Sequence, residues 1–233
     1  MNHMGYDALN IADGELRVGL NVFDELKQEA RFPFLAANIF FDEKGLPVGK
    51  RYLIKEFEGF KVGVVGVASP DCFDEKYLSR TSLVIKDPEE HLRQLLPEIE
   101  AKADVIVLLS HLGLAATEDL LGKLSGIDVA IVGHESRSLH SPKFVGKTIV
   151  VQGVPKGGSL GVLELRFDRD GFLKGHKGKT TRLTKSIPVD PTVQDLVATY
   201  RRERTAARRA AHAKRRKKEL MRKNQKFLSM TPE

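Results

Sequence analysis

Two histidines, His111 and His134, stand where apolar runs of the chain break off. The first run, Asp104-Val105-Ile106-Val107-Leu108-Leu109-Ser110-His111, is unbroken until its closing polar pair. The second, Ile127-Asp128-Val129-Ala130-Ile131-Val132, ends in Gly133-His134. A helical pattern with Gly113 at its start separates them, so the stretch from Asp104 to Ser136 reads as a βαβ unit with parallel strands. A right-handed crossover puts both strand C-termini on one sheet edge, where α/β folds build their sites. Two imidazoles leaving consecutive strands there suit a first-row divalent metal. A lone histidine in such a place is more often a hydrogen-bonded loop residue; the pairing is what points to a ligand role. His3, His91, His140, His176 and His212 have no partner at ligand spacing and are expected at the surface.

The elements that must position this pair follow from pattern and punctuation. The chain opens with the end of a helix stopped at Gly5, a buried strand from Ala8 to Ile11 and a turn over Ala12 to Leu16. Val18, Val22, Phe23 and Leu26 fall at helical spacing in a helix over Val18 to Ala30. Phe32 to Ile39 reads as a strand, Asp42 to Gly49 as a loop, and Tyr52 to Phe57 and Phe60 to Ala68 as further strands. The last of these runs into a loop carrying Ser69, Pro70, Asp71 and Cys72. Asp87-Pro88-Glu89 opens a helix, with proline at its first position and acids in its first turn. After the βαβ unit come a strand over Thr148 to Gln152, a tight turn at Gly157-Gly158 and an alternating strand over Leu160 to Phe167. A hairpin turn at Asp168-Arg169-Asp170-Gly171 and a polar return strand over Phe172 to Leu183 complete the domain. Pro188 and Pro191 close it, and one long helix runs from about Val193 to Phe227.

A chain of 233 residues can bury one substantial core and carry an appendage. Its single cysteine, Cys72, excludes an internal disulfide and a cluster of thiolates. No apolar run approaches the roughly 18–20 residues of a membrane-spanning helix, and the N-terminal segment lacks a signal-peptide pattern. The net charge of +7 is concentrated in the tail: Arg201 to Lys226 holds 13 Lys/Arg against 2 Asp/Glu, whereas residues 1–200 hold 25 basic against 28 acidic. Cations around most of a long helix fit counterion-release binding to an anionic partner. Tyr200 and Phe227 are its only aromatics, so it offers no base-stacking platform. The other reading is a solvated linker leading to a further domain.

Several segments, taken in order, resemble the metallophosphoesterase domain of the 5′-nucleotidase family, relatives of calcineurin-like phosphoesterases. They are Met4-Gly5-Tyr6-Asp7-Ala8, Phe32-Pro33-Phe34-Leu35-Ala36-Ala37-Asn38-Ile39 and Lys61-Val62-Gly63-Val64-Val65-Gly66. Ser110-His111-Leu112-Gly113, Gly126-Ile127-Asp128 with Gly133-His134, and Val151-Gln152-Gly153 running into Leu160-Gly161 continue the set. The resemblance implies an α/β fold, a partial metallophosphoesterase-type sheet sandwich, over residues 1–187, with a basic helical tail or linker over 188–233. It also implies metal-dependent hydrolysis of a nucleotide or other phosphoester, with two divalent ions activating a water above the sheet edge. His111 matches the family's Ser-His ligand, His134 the first histidine of its Gly-His-x-His element, and Asp13 the asparagine of its Gly-Asn-His-Glu element. Glu15 matches the glutamate of that last element, either supporting the ligands from behind or capping the helix that follows.

The departures from the family pattern shape the expectation. Gly14 stands where the family has its catalytic histidine, and Ser136 where it has the second histidine of Gly-His-x-His. The strand with the Asp-x-His pair and the Gly-Asp element supplying the bridging aspartate would lie ahead of Met1. Asp13, His111 and His134 all correspond to ligands of one metal, so at most one ion (Mn, Zn, Co or Mg) is expected, with weak or no turnover and no catalytic residue retained. The alternative is a non-enzymatic binding or linker module whose basic helix engages an anionic partner or leads to a further domain. A true start at Met1 would leave the protein in the cytoplasm; a fragment of a longer family member would be exported.

Overall fold

Val62, Val64, Val65 and Val67 make one stretch rich in β-branched side chains, and Val105 to Leu109 is as apolar; these stretches form the centre of the main sheet. The structure, a computed structural model, describes residues 1–42, 45–57, 59–135, 139–154, 157–168 and 173–228. It divides into two units, Met1–Thr184 and Lys185–Glu233.

The N-terminal part is built of short elements. A 3₁₀ turn over Asn2–Met4 stops at Gly5, which takes left-handed φ of 68°. Strand β1 (Leu9–Asn10) leads into helices α1 (Asp13–Leu16) and α2 (Leu20–Glu29), so the expected turn after β1 is a single helical turn. The next run does not form one strand. It splits into β2 (Phe34–Leu35), parallel to β1, and β3 (Ile39–Phe40), because Asn38 pulls the chain out of register. The fully buried Asn38 side chain donates to the carbonyls of Ala68 and Lys86, both at 2.8 Å, and accepts from Ala68 N at 3.0 Å. Tertiary hydrogen bonding thus overrides local strand propensity.

Strands β4 (Tyr52–Phe57) and β5 (Phe60–Ala68) form an antiparallel pair. The loop after β5 carries a 3₁₀ turn at Pro70–Cys72 and α3 (Glu75–Leu78), and β6 (Val84–Ile85) pairs antiparallel with β3. Helix α4 (Pro88–Glu100) begins with Asp87 Oδ1 accepting from Glu90 N at 2.9 Å, the cap its sequence announces. Then come β7 (Val105–His111), α5 (Leu114–Lys123), β8 (Val129–Val132), β9 (Lys143–Val145) and β10 (Thr148–Gln152). The hairpin strands β11 (Ser159–Phe167) and β12 (Leu173–Arg182) end this unit; their turn lies outside the described residues.

Six strands make the main sheet in the order β4-β5-β7-β8-β10-β9, with β5, β7, β8 and β10 parallel and the two outer strands antiparallel. Along β7, Ile106, Leu108 and Ser110 are buried, and Ile106 and Leu108 share a core with Val65, Val67, Ala130, Val132 and Val150. Leu92, Leu95, Leu96 and Ile99 of α4 and Leu120 and Leu121 of α5 cover that face. A second core gathers Ile11, Leu16, Phe23, Phe34, Ile39, Ala68, Cys72 and Phe73 beside the C-terminal end of β5. In the second unit Pro191 opens the long helix α6 (Pro191–Leu228), and Asp190 Oδ1 accepts from Val193 N at 3.0 Å at its start.

Candidate metal centre

The parallel register decides which loops meet. Ala68 pairs with His111, Ser110 with Val132, and Val132 with Gln152, so β5, β7, β8 and β10 end on one edge. His111 is the last residue of β7. Its carbonyl accepts from Ser69 N at 3.3 Å and from Cys72 Sγ at 3.5 Å, which ties the loop after β5 to the end of β7. Beneath it the buried Ser110 hydroxyl meets Thr117 Oγ1 at 2.7 Å, and Thr117 donates to Gly113 O at 2.6 Å, fixing the entry of α5.

After β8 the chain turns sharply. Gly133 N donates to Ser110 O at 2.7 Å and Gly113 N to Gly133 O at 3.2 Å. His134 follows with φ 57°, the sole non-glycine residue with positive φ among the described residues. That conformation costs a non-glycine residue roughly 1 kcal/mol or more and persists only where the surroundings enforce it. Gly113, at φ 79°, passes so near that a Cβ there would lie 3.3 Å from His134 O.

The turn aims the His134 ring back over the edge. His134 Nδ1 lies 3.1 Å from His111 Nε2, and Asp13 Oδ1 lies 3.2 Å from that same nitrogen. One Nε2–H could serve a carboxylate and a second imidazole only as a shared, bent bond, whereas a cation would satisfy both rings and the carboxylate together. Asp13 comes from the first position of α1, one turn ahead of Arg17, whose Nη2 is 3.2 Å from Asp13 Oδ2 and donates to Cys72 O at 3.4 Å. Burial, followed by the neighbouring His134, holds the His111 pKa below the ordinary imidazole value; Asp13 opposes the shift without reversing it. His111 is therefore neutral near pH 7, with a lone pair for a ligand. Burial, reinforced by Asp13, pushes the Cys72 thiol above its usual value.

Of the residues singled out in the sequence, Asp13, His111 and His134 come together. Glu15 accepts from Ala12 N at 3.0 Å through Oε2, closing the first turn of α1. Gly14 has open space where a Cβ would stand. Ser136 lies outside the described residues. His91 and His176 are half-buried rather than free at the surface, packed on Phe40 at 5.4 Å and on Phe144 at 5.1 Å between ring centroids. Cys72 is the residue that sequence reasoning missed. One donor atom from each of Asp13, Cys72, His111 and His134 lies within 4.8 Å of all the others. A carboxylate, two imidazoles and a thiol suit a first-row divalent ion, so the residues present fit a metal.

No family model matches the chain. It is 28% identical to bovine (Bos taurus) 5′-nucleotidase in an alignment 230 positions long that takes in 86% of this chain and 39% of that protein. The structure superposes on the calcineurin-like phosphoesterase YfkN of Bacillus subtilis with a TM-score of 0.75 and 26% identity, covering 87% of this chain and 72% of that one. It superposes on a 5′-nucleotidase precursor from Thermus thermophilus with the same TM-score of 0.75 and 26% identity, over 86% of this chain and 44% of that one. The chain thus spans 39% of the length of the bovine relative and a similar share of the human one. These likenesses support a partial domain of the 5′-nucleotidase type, with the fold of the calcineurin-like phosphoesterases, that spans part of the length of the proteins it matches.

Proposed function

We propose that this domain holds one divalent ion through Asp13, His111 and His134, binds phosphoester-bearing ligands of the nucleotide class there, and hydrolyses them weakly or not at all. The observation that carries the reading is the meeting of these three donors at hydrogen-bonding distance on the C-terminal edge of the parallel strands. When bound, a divalent ion supplies Lewis-acid stabilisation of phosphoryl oxygens. The chain's own residues do the rest. Burial keeps His111 neutral and ready to coordinate, and Arg17 holds the outer oxygen of Asp13. Gly14 supplies no side chain to move a proton or touch a phosphate, where the family pattern has histidine. Efficient turnover therefore lacks the histidine that the family pattern places against the phosphate.

The test pairs metal content with hydrolysis. Purified protein is dialysed against Mn²⁺, Zn²⁺ or Co²⁺, and bound metal per chain is measured beside hydrolysis of nucleoside monophosphates. One ion per chain, reduced in His111→Ala, with turnover near background, is expected. Robust turnover lost in His111→Ala would show a working enzyme, and absence of bound metal would remove the centre.

A second reading concerns α6. Apart from half-buried Val193, its described side chains are exposed, Arg201, Arg202, Arg204, Arg208, Arg209, Lys214, Arg215 and Arg216 among them. That surface supports binding to a polyanion by counterion release. Binding of the intact chain to duplex DNA, weakening steeply with salt and abolished by deleting residues 200–233, supports it; no binding at low salt removes it.

A further inference from the structure

We propose that Cys72 Sγ is the fourth ligand of this centre, closing it into a four-coordinate Asp-Cys-His-His site of zinc type. The inference rests on the assignment of Asp13, His111 and His134 above and adds to it a donor that changes which ion is chosen and what that ion can do.

Cys72 reaches the site for a topological reason. Strands β5 and β7 are hydrogen-bonded neighbours that end in register at Ala68 and His111, and Cys72 sits in the 3₁₀ turn that begins just past β5. The Ser69 hydroxyl accepts from Asp71 N at 3.2 Å and sets that turn. Before an ion binds, two contacts hold the loop against the ligands: the Cys72 thiol donating to His111 O at 3.5 Å, a bond given up as the thiol releases its proton to solvent on coordination, and Arg17 joining Cys72 O to Asp13. Cys72 is 6% exposed and packs in the second core, so its sulfur is already out of bulk water beside the two rings and the carboxylate.

The distances suit a tetrahedron. Zinc bonds of about 2.0–2.3 Å to oxygen, nitrogen and sulfur give donor–donor edges of roughly 3.3–3.7 Å. The His111–Asp13 and His111–His134 edges measure 3.2 and 3.1 Å, and no edge among the four chosen donors exceeds 4.8 Å. The widest gap closes by about 1 Å, a side-chain adjustment.

Donor chemistry then decides the ion. Magnesium and calcium prefer six or more oxygens and keep bound waters, and Mn²⁺ shares their taste for carboxylate and water. A set with one carboxylate, two imidazoles and one thiolate selects zinc, for which cobalt is a faithful reporter. Four protein ligands fill the tetrahedral shell, so a phosphoester oxygen reaches the ion only as a fifth ligand, which fits weak turnover or none. The same four ligands pin together the segments after β1, β5, β7 and β8 that meet at this sheet edge.

Cobalt absorption tests this directly, because the chain has one cysteine and any thiolate-to-cobalt charge-transfer band must come from it. Reduced, apo full-length protein is titrated with Co²⁺ at neutral pH. The expected spectrum has an intense near-ultraviolet charge-transfer band and the strong visible bands of four-coordinate cobalt, saturating at one ion per chain. Zinc is expected to displace the cobalt, whereas Mg²⁺ and Mn²⁺ in large excess leave it in place. Cys72→Ala is expected to bind cobalt at least ten-fold more weakly and without the charge-transfer band; Cys72→Ser should behave likewise. Stoichiometric cobalt without that band in the wild-type protein overturns Cys72 as a ligand while leaving the three-ligand centre standing. Absence of cobalt binding removes both. The wild-type spectrum decides the matter even where a substitution at the buried Cys72 prevents folding.

Discussion

Asp13 and His111 lie 98 residues apart in the chain and meet with Oδ1 3.2 Å from Nε2. Nothing local brings them together: α1 presents the first at the end of β1, and the main sheet presents the second. The pair makes a prediction about donor chemistry. Asp13→Asn keeps an oxygen where the family pattern has one and removes a negative charge, so metal affinity should fall by about ten-fold. Asp13→Ala removes the donor and should lower affinity by about a hundred-fold or more. Competition with a chromophoric chelator ranks the three proteins. Equal affinities would show that Asp13 does not touch the ion.

Arg17 touches no candidate donor except through Asp13 and the Cys72 carbonyl. Its guanidinium is exposed, so the ion pair itself contributes little to stability. Its role is to fix the direction of the carboxylate. Arg17→Ala should leave the melting temperature within about 2 °C and reduce metal affinity by about ten-fold, with Arg17→Lys in between. A fall in stability that matches the fall in affinity would instead mark Arg17 as a general structural residue.

Much of this was legible in the sequence, for identifiable reasons. The runs ending in His111 and Gly133-His134 are long, apolar and punctuated, so the βαβ unit and the meeting of its histidines follow from topology. The same rules reached β4, β5, α4, β10 and the long helix. They failed on Phe32 to Ile39, because Asn38 spends its side chain on Ala68 and Lys86, partners remote in sequence. They also began the strand after α5 at Ile127 rather than Val129. Asp128 explains the difference, its carboxylate accepting from Ile106 N at 2.7 Å and its own N–H donating to Ile106 O. The nearness of Cys72 to this site was invisible because its approach depends on β5 lying next to β7, a fact of strand order that no spacing along the chain encodes.

Gly14 offers a clean restoration experiment. Nothing lies within 4 Å of a Cβ built there, and its backbone is helical, so a side chain fits without strain. Gly14→His should therefore fold normally and melt at or slightly above the wild-type temperature, helix propensity favouring histidine over glycine by a few tenths of a kcal/mol. Hydrolysis of nucleoside monophosphates should stay near background, since one imidazole does not rebuild a two-ion clamp. Turnover appearing in this single variant would mean that the rest of the centre is intact, contrary to the function proposed.

Gly66 tests how the site's platform is packed. A Cβ at this position of β5 would overlap the Asn10 side chain and lie 3.3 Å from Leu35 Cβ. Asn10 has little freedom to yield, since its Nδ2 donates to Val67 O at 2.9 Å. Gly66→Ala should cost about 1–3 kcal/mol, read as a lower urea midpoint with unchanged slope. Gly146→Ala serves as a control for backbone strain alone, because Gly146 has positive φ but open space around it. A Gly66→Ala loss no larger than that of Gly146→Ala would show that β1 and β5 are packed more loosely than their contacts indicate.

Asp128 gives the pH dependence. Burial raises its pKa above the ordinary carboxylate value, and the hydrogen bond from Ile106 N only partly offsets that rise. A raised folded-state pKa means that the native protein holds this proton more tightly than the unfolded chain does. Its contribution to stability is therefore most favourable below the unfolded value of about 4, declines as pH rises through the window up to the folded value, and is flat above it. Asp128→Asn keeps the acceptor for Ile106 N and removes the buried charge. At pH 7 the variant should equal or exceed the wild type by less than about 1 kcal/mol, the partly solvated position limiting the gain. At pH 4 the advantage should shrink, because burial raises the pKa and more of the wild-type carboxyl is protonated there than at pH 7. Urea denaturation at the two pH values measures the difference, with Asp128→Ala, which lacks the acceptor, expected to be less stable at both. An Asp128→Asn variant less stable at pH 7 than at pH 4 relative to wild type would mean that the charged carboxylate is favoured in place, the opposite of what its burial dictates.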